Sequence, residues 1–166
     1  MPGIVWLGND LFRGMCSEAE RKCPDETGGA LLGYRSGEDY VITDVLGPGP
    51  DAQHARMFFQ PDYGWQEEVI ARRFAETNGT TTYLGDWHTH PGTSVPAMSK
   101  DDRKVLRQIA SCPTAGIDRP LMAILAGSLG NPWGLGVWSG ASRPRRLLKA
   151  WNPSDILKLP VRRYGF

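Results

Sequence analysis

Apolar positions along the chain alternate in some stretches and recur every three to four residues in others, and the two patterns interleave. Ile4-Val5-Trp6-Leu7 reads as a short strand. After it, Leu11, Met15 and Ala19 share one helical face, which predicts a helix to about Lys22, capped by Asn9 or Asp10 and ended by Pro24. The runs 29–34 and 40–46 flank the polar link Ser36-Gly37-Glu38-Asp39 and predict a hairpin, and after Gly47-Pro48-Gly49-Pro50 the run Met57-Phe58-Phe59 predicts a third short strand. From Asp62 the period turns helical, with Trp65, Val69, Ile70 and Phe74 on one face and Asn78-Gly79 as the stop. Thr81 to His88 is rich in β-formers and runs into His90-Pro91-Gly92. Ser99 opens another helix, with Val105, Leu106 and Ile109 at core-facing spacing and Pro113 at its end. Leu121 to Ala126 and Leu135 to Trp138 predict a second hairpin across the polar segment 127–132. Past Ser139 no element is assigned to the basic stretch 143–149 or to the tail, where Pro153 and Pro160 oppose one long helix. Helices interleaved with hairpins imply an α/β or α+β domain, a mixed central sheet flanked by helices.

Composition narrows the classes of partner. A chain of 166 residues suits one domain over 1–166, with a core large enough to need no disulfides. Lys+Arg 19 against Asp+Glu 18 leaves a net charge of +1, which argues against nucleic acid and anionic membranes as primary ligands. No apolar run reaches the roughly 18 to 20 residues of a spanning helix, and the N-terminal segment lacks a basic region followed by an apolar one. Cys16, Cys23 and Cys112 form neither an even framework nor a C-x-x-C pair, so reduced thiols and a cytoplasmic location are expected.

The chemistry concentrates at the end of the 81–90 strand. Side chains at i and i+2 share a face, so His88 and His90 project together while Thr89 turns away. Such a pair is a two-nitrogen clamp for a metal, and a hydrolytic zinc needs a third protein ligand with one position left for water. Asp101 and Asp102 can supply it from the start of the next helix. Each element also has an ordinary reading: a bare H-x-H occurs by chance at strand ends, and Ser99-Lys100-Asp101-Asp102 fits a capping box. Trp87, Thr89 and Asp86 are expected to be structural, and His54, in a proline-flanked loop without a spaced partner, to be solvent-exposed.

Trp87-His88-Thr89-His90-Pro91 followed by Ser99-x-x-Asp102 resembles the H-[ST]-H-P…S-x-x-D signature of the JAB/MPN/Mov34 (JAMM) metalloisopeptidases. Glu26-Thr27-Gly28-Gly29-Ala30-Leu31-Leu32-Gly33 is similar to the segment that opens the bacterial members, and further similarity lies at Gly47 to Ala52, at Phe59 to Asp62 with Gln66, and at Tyr83 to Trp87. These resemble the subfamily found with mobile elements and antiphage operons. The resemblance implies an MPN/JAB domain of cytidine-deaminase-like architecture, holding Zn2+ on His88, His90 and an aspartate, with Glu26 as catalytic base. It implies as substrate the C-terminal tail of a ubiquitin-like protein or its conjugate, with ubiquitin-activating-like or ubiquitin-conjugating-like enzymes of the same operon as partners. Ser99 could donate a hydrogen bond to the substrate oxyanion. The family's usual spacing selects Asp101, whereas the S-x-x-D frame selects Asp102; the flanking Met98-Ser99 and Leu106-Arg107 align better with Asp102.

Three rivals remain: a non-catalytic scaffold of the same fold, another zinc enzyme, and a metal-free binding protein. A scaffold would not require Glu26, His88, His90 and Asp102 together. A nucleobase deaminase would show H-x-E before P-C-x-x-C, and this sequence has neither.

Overall fold

A computed structural model of the chain describes residues 2–140 and 156–166. Its elements are β1 (Val5–Gly8), α1 (Asn9–Lys22), β2 (Gly28–Ser36), β3 (Asp39–Val45), β4 (Gln53–Ala55), β5 (Phe58–Gln60), α2 (Tyr63–Glu76), β6 (Thr82–Pro91), α3 (Lys100–Ala110), β7 (Leu121–Gly127), β8 (Gly134–Gly140), β9 (Ile156–Leu159) and β10 (Val161–Tyr164). Eight strands form one mixed sheet in the order β10-β1-β3-β2-β6-β7-β8-β9, and β4 and β5 form a separate antiparallel ribbon. Pairing is parallel at β1–β10, β1–β3 and β6–β7 and antiparallel elsewhere. The two edge strands are joined through Pro160 alone, with Leu159 opposite Val137 of β8 and Val161 opposite Val5 of β1. The sheet therefore curls until its two edge strands come together at Pro160.

Inside the curl lies the main core, in which Met15 and Ala19 of α1 pack with Val5, Leu7, Leu31, Ile42, Trp87, Leu121, Leu125 and Val137. Tyr40 ties β3 to β8 across this space, its hydroxyl donating to Arg119 O at 3.0 Å and lying 3.2 Å from Ser139 Oγ. The outer face has two apolar patches. Trp65, Val69 and Ile70 of α2 cover Ala30, Leu32 and Tyr83, while Leu106 of α3 covers Met122, Ile124 and Trp138.

Several expectations change. The N-cap of α1 is Gly8, without a side-chain cap; Asn9 instead donates to Gly165 O at 2.7 Å, tying the helix start to the C-terminal segment. Phe74 and Val105 are exposed rather than core-facing, and Gln66 is buried beside Val69 with its amide donating to Gly47 O. Phe58 and Phe59 of the predicted strand form β5, with Met57 in the turn before it, and the partner strand β4 was not anticipated. His54, expected in a solvent-exposed loop, is half-buried on β4. Part of the unassigned tail forms β9 and β10, whereas the basic stretch 143–149 lies outside the described residues. Among the described residues no helix is long and apolar enough to cross a membrane.

Candidate metal centre

The face on which the histidines emerge is set six residues upstream of His90. Leu31 of β2 pairs with Gly85 of β6 and Leu32 with Tyr83, so Leu84 is an extra residue in the ladder, a β-bulge. Without it, strict alternation from the outward Tyr83 would turn His88 inward; with it, Trp87 and Thr89 enter the core and Asp86, His88 and His90 face out. Gly85 permits this approach: its φ is +152°, and a Cβ there would sit 2.0 Å from Leu121 O.

Beyond His90 the chain is held by Gly92 N–H donating to Gly127 O (2.8 Å) and Thr93 Oγ1 donating to His90 O (3.0 Å). It then reaches Ser99, the N-cap of α3. Ser99 Oγ accepts from Asp102 N–H at 3.0 Å, while Ser99 N–H donates to Asp102 Oδ2 at 2.7 Å, a reciprocal capping box. The same carboxylate faces the histidines. Asp102 Oδ1 lies 3.0 Å from His88 Nε2, Asp102 Oδ2 lies 3.3 Å from His90 Nε2, and the two Nε2 atoms are 3.1 Å apart. Capping and clustering thus coexist in one side chain. Asp101 is exposed and lies outside the cluster.

Three donor atoms this close suit a small divalent cation. Tetrahedral ligands at about 2.05 Å from zinc are separated by about 3.3 Å, close to the observed edges. Two imidazole nitrogens and one carboxylate are also the donor types of a hydrolytic zinc site, so His88, His90 and Asp102 could hold such an ion.

Glu26 approaches from the chain entering β2. Its N–H donates to Ala55 O at 2.8 Å, and the Nδ1–H of His54 donates to its carbonyl at 2.9 Å, so both backbone groups are fixed by β4. Its carboxyl is half-buried; desolvation raises its pKa above the ordinary glutamate value, against the pull of His88 and His90 and with a smaller push from Asp102. Burial works against ionisation of Asp102 too, but hydrogen bonds from the two imidazoles and Ser99 N–H hold its carboxyl far below the usual range. The Asp102 hydrogen bond raises the pKa of His90 against desolvation. Asp86, on the same outer face, is pushed up to about 6 by burial, while the Tyr83 hydroxyl donating to it at 2.8 Å and the nearby His88 oppose the rise. Ser99 is exposed at the helix start, and its hydroxyl proton remains available beside the bond its oxygen accepts.

Glu26, His88, His90, Asp102 and Ser99 are therefore gathered from the segment entering β2, from β6 and from the start of α3. His54 was expected to be solvent-exposed because β4 is three residues long and has no apolar alternation of its own. The signal that points to it is indirect: a Phe58-Phe59 strand needs a partner.

The family model described as prokaryotic homologs of the JAB domain matches residues 8–139. The "Probable metalloprotease y4qB" of Sinorhizobium fredii is 36% identical over 149 residues, 89% of this chain and 90% of that protein. Proteins named "CD-NTase/cGAS isopeptidase" are similar at lower identity: 28% over 118 residues in Pseudomonas aeruginosa (71% of this chain, 72% of that protein) and 29% over 105 residues in Vibrio cholerae (63% and 67%). A solution structure of a Desulfitobacterium hafniense protein superimposes with a TM-score of 0.65 at 18% identity, covering 98% of this chain and 94% of that one, which speaks for the fold alone. With four-fifths of the chain inside the family model and the signature residues meeting at one point on the sheet, the chain belongs to the prokaryotic JAB family.

Proposed function

We propose that this protein is a zinc-dependent isopeptidase that hydrolyses the bond after the C-terminal tail of a ubiquitin-like protein, or its conjugate with a signalling enzyme, in a bacterial antiphage conjugation system. The observation that carries this reading is the convergence of His88, His90 and Asp102 within 3.3 Å of one another, with the Glu26 carboxyl in their electrostatic field. The relatives' names support it: one is called a probable metalloprotease and others CD-NTase/cGAS isopeptidases.

In this reading His88, His90 and Asp102 hold the ion, which when bound supplies Lewis acidity towards a carbonyl and lowers the pKa of water towards neutrality. Glu26 is the base that accepts a proton from the attacking water and returns it to the departing amine, a shuttle for which its half-buried place beside the histidines suits it. The Ser99 hydroxyl donates a hydrogen bond to the oxyanion, and losing such a donor typically costs about 100- to 1000-fold in rate. The β4–β5 ribbon next to Glu26 offers a strand edge for an extended tail.

The test uses ubiquitin-like C-terminal tails fused to a reporter. Wild-type protein with one zinc per chain is expected to release the reporter, and Glu26→Ala to keep the zinc and lose cleavage. Zinc-loaded wild type that cleaves no such fusion, or Glu26→Ala that turns over normally, would overturn the reading.

A further inference from the structure

Thr89, between the two histidines, points into the core, where valine would satisfy both strand propensity and burial; it is 1% exposed, and Thr27 is 0%. Its hydroxyl is fully used. Thr89 Oγ1 accepts from Thr27 N–H at 2.9 Å and donates towards Thr27 O at 3.4 Å, while Thr89 N–H donates to the same carbonyl at 2.9 Å. The regular pairing of β2 with β6 begins only at Gly28, opposite His88. At Thr27 the main chain has run out of ladder, and the Thr89 side chain takes over the amide that the strand can no longer serve.

The contact continues inward. Thr27 Oγ1 donates to Glu18 Oε1 at 2.9 Å, and Glu18, buried on α1, pairs with Arg21 through its other oxygen. Arg21, Glu18, Thr27 and Thr89 form one chain of polar contacts between α1 and β6, where each donor has an acceptor and the buried carboxylate has a charged partner. On the opposite face of the sheet are the groups that matter for hydrolysis: His88 and His90 flank Thr89, and Glu26 immediately precedes Thr27.

Resting on the hydrolase reading above, we propose that Thr89 is a positioning residue: with Thr27 and Glu18 it clamps the start of β2 to β6 and so fixes the Glu26 carboxyl relative to the histidine pair. Glu26 is then held on both sides, by β4 through Ala55 O and His54, and by β6 through its neighbour Thr27. A base displaced by about 1 Å loses on the order of 100-fold in rate, whereas the ligands on β6 and α3 do not depend on the clamp.

Thr89→Val and Thr89→Ser separate the possibilities, with Thr89→Ala replacing the valine variant if that does not fold. Thr89→Val should bind one zinc per chain, keep KM within about twofold and lose about 10- to 100-fold in kcat, while Thr89→Ser restores kcat to within about threefold. Independently of activity, the Thr27 amide should exchange with solvent slowly in wild type and Thr89→Ser and much faster in Thr89→Val. Unchanged kcat and exchange in Thr89→Val would overturn the clamp and leave the hydrolase reading standing. So would a loss of rate that tracks lost zinc, or Thr89→Ser as impaired as Thr89→Val. Zinc-loaded wild type without cleavage would instead overturn the hydrolase reading, and the clamp's catalytic purpose with it.

Discussion

The two faces of β6 are built from the same ten residues and meet opposite demands. Inward, Leu84, Trp87 and Thr89 are buried, and both the indole N–H, donating to Leu46 O at 2.8 Å, and the threonine hydroxyl are paired within the fold. Outward, His88 and His90 keep side-chain exposures of 15% and 19%, and their ring nitrogens converge on a carboxylate brought by another element. The inner face spends its polar groups on holding the strand; the outer face gathers two imidazoles and a carboxylate at one point. β6 lies between the α2 and α3 patches, where neither apolar cluster includes His88 or His90.

The largest effect expected is on the outer face. Asp102→Asn should lose zinc and cost on the order of 1000-fold or more in hydrolysis, about 4 kcal/mol in the barrier. Because the donors stand outside the core, the variant should stay folded, and weakening the α3 cap should lower its stability by only about 1 kcal/mol. Asp101→Asn, altering an exposed residue beside the cluster, should retain both zinc and activity. Metal analysis of the purified pair decides the matter, and zinc lost from the Asp101 variant alone would assign the ligand to Asp101.

Next comes the bulge that separates the faces. In Gly85→Ala the new methyl would meet Leu121 O at 2.0 Å, so β6 must shift against β7 or unwind its extra residue. A loss of about 3 kcal/mol in unfolding free energy is expected, read from the urea midpoint. Zinc binding should weaken with it, since moving the bulge moves both histidines. A folded Gly85→Ala with full zinc affinity would show that the bulge is dispensable for the orientation of the histidines.

At Trp87, an inner-face residue outside the Thr89 contacts, stability and zinc binding should come apart. Trp87→Phe leaves Leu46 O without its donor and opens a small cavity, at a cost of roughly 1 to 2 kcal/mol, with zinc stoichiometry and kcat near wild type.

These contrasts also explain what could be read from the chain. Alternation and helical period located both long hairpins, α1, α2, α3 and the histidine strand, because each buries enough apolar surface to leave a pattern. The cap of α1 was misassigned because Asn9 is engaged by Gly165, more than 150 residues away, and such partners leave no local trace. β4 has no apolar stripe, so the strand was not visible and His54 was placed in an exposed loop instead of beside Glu26. The histidine face was inferred from i, i+2 spacing, which holds beyond the bulge; nothing in the spacing showed that a bulge was needed upstream. The tail strands depend on the closing of the sheet, a property of its eight strands together.

The smallest effect expected lies at the seam where β1 joins β3, on neither face of β6. Asp39 Oδ1 accepts from Ile4 N–H at 2.8 Å and Oδ2 from Trp6 Nε1–H at 3.0 Å, and these bonds hold its carboxyl below the ordinary aspartate value. A carboxyl with a lower pKa folded than unfolded contributes stability that is complete above the unfolded value, about pH 4, and is lost as pH falls through the folded one. Asp39→Asn keeps one acceptor oxygen and removes the ionisation, so the variant should melt slightly below wild type at pH 7, and the gap should narrow as pH falls below about 4. Melting curves at pH 7 and pH 3 provide the measurement. A gap that widens in acid would mean that the carboxylate does not secure this seam, and zinc content unchanged at pH 7 would place any effect in the scaffold and not in the outer face of β6.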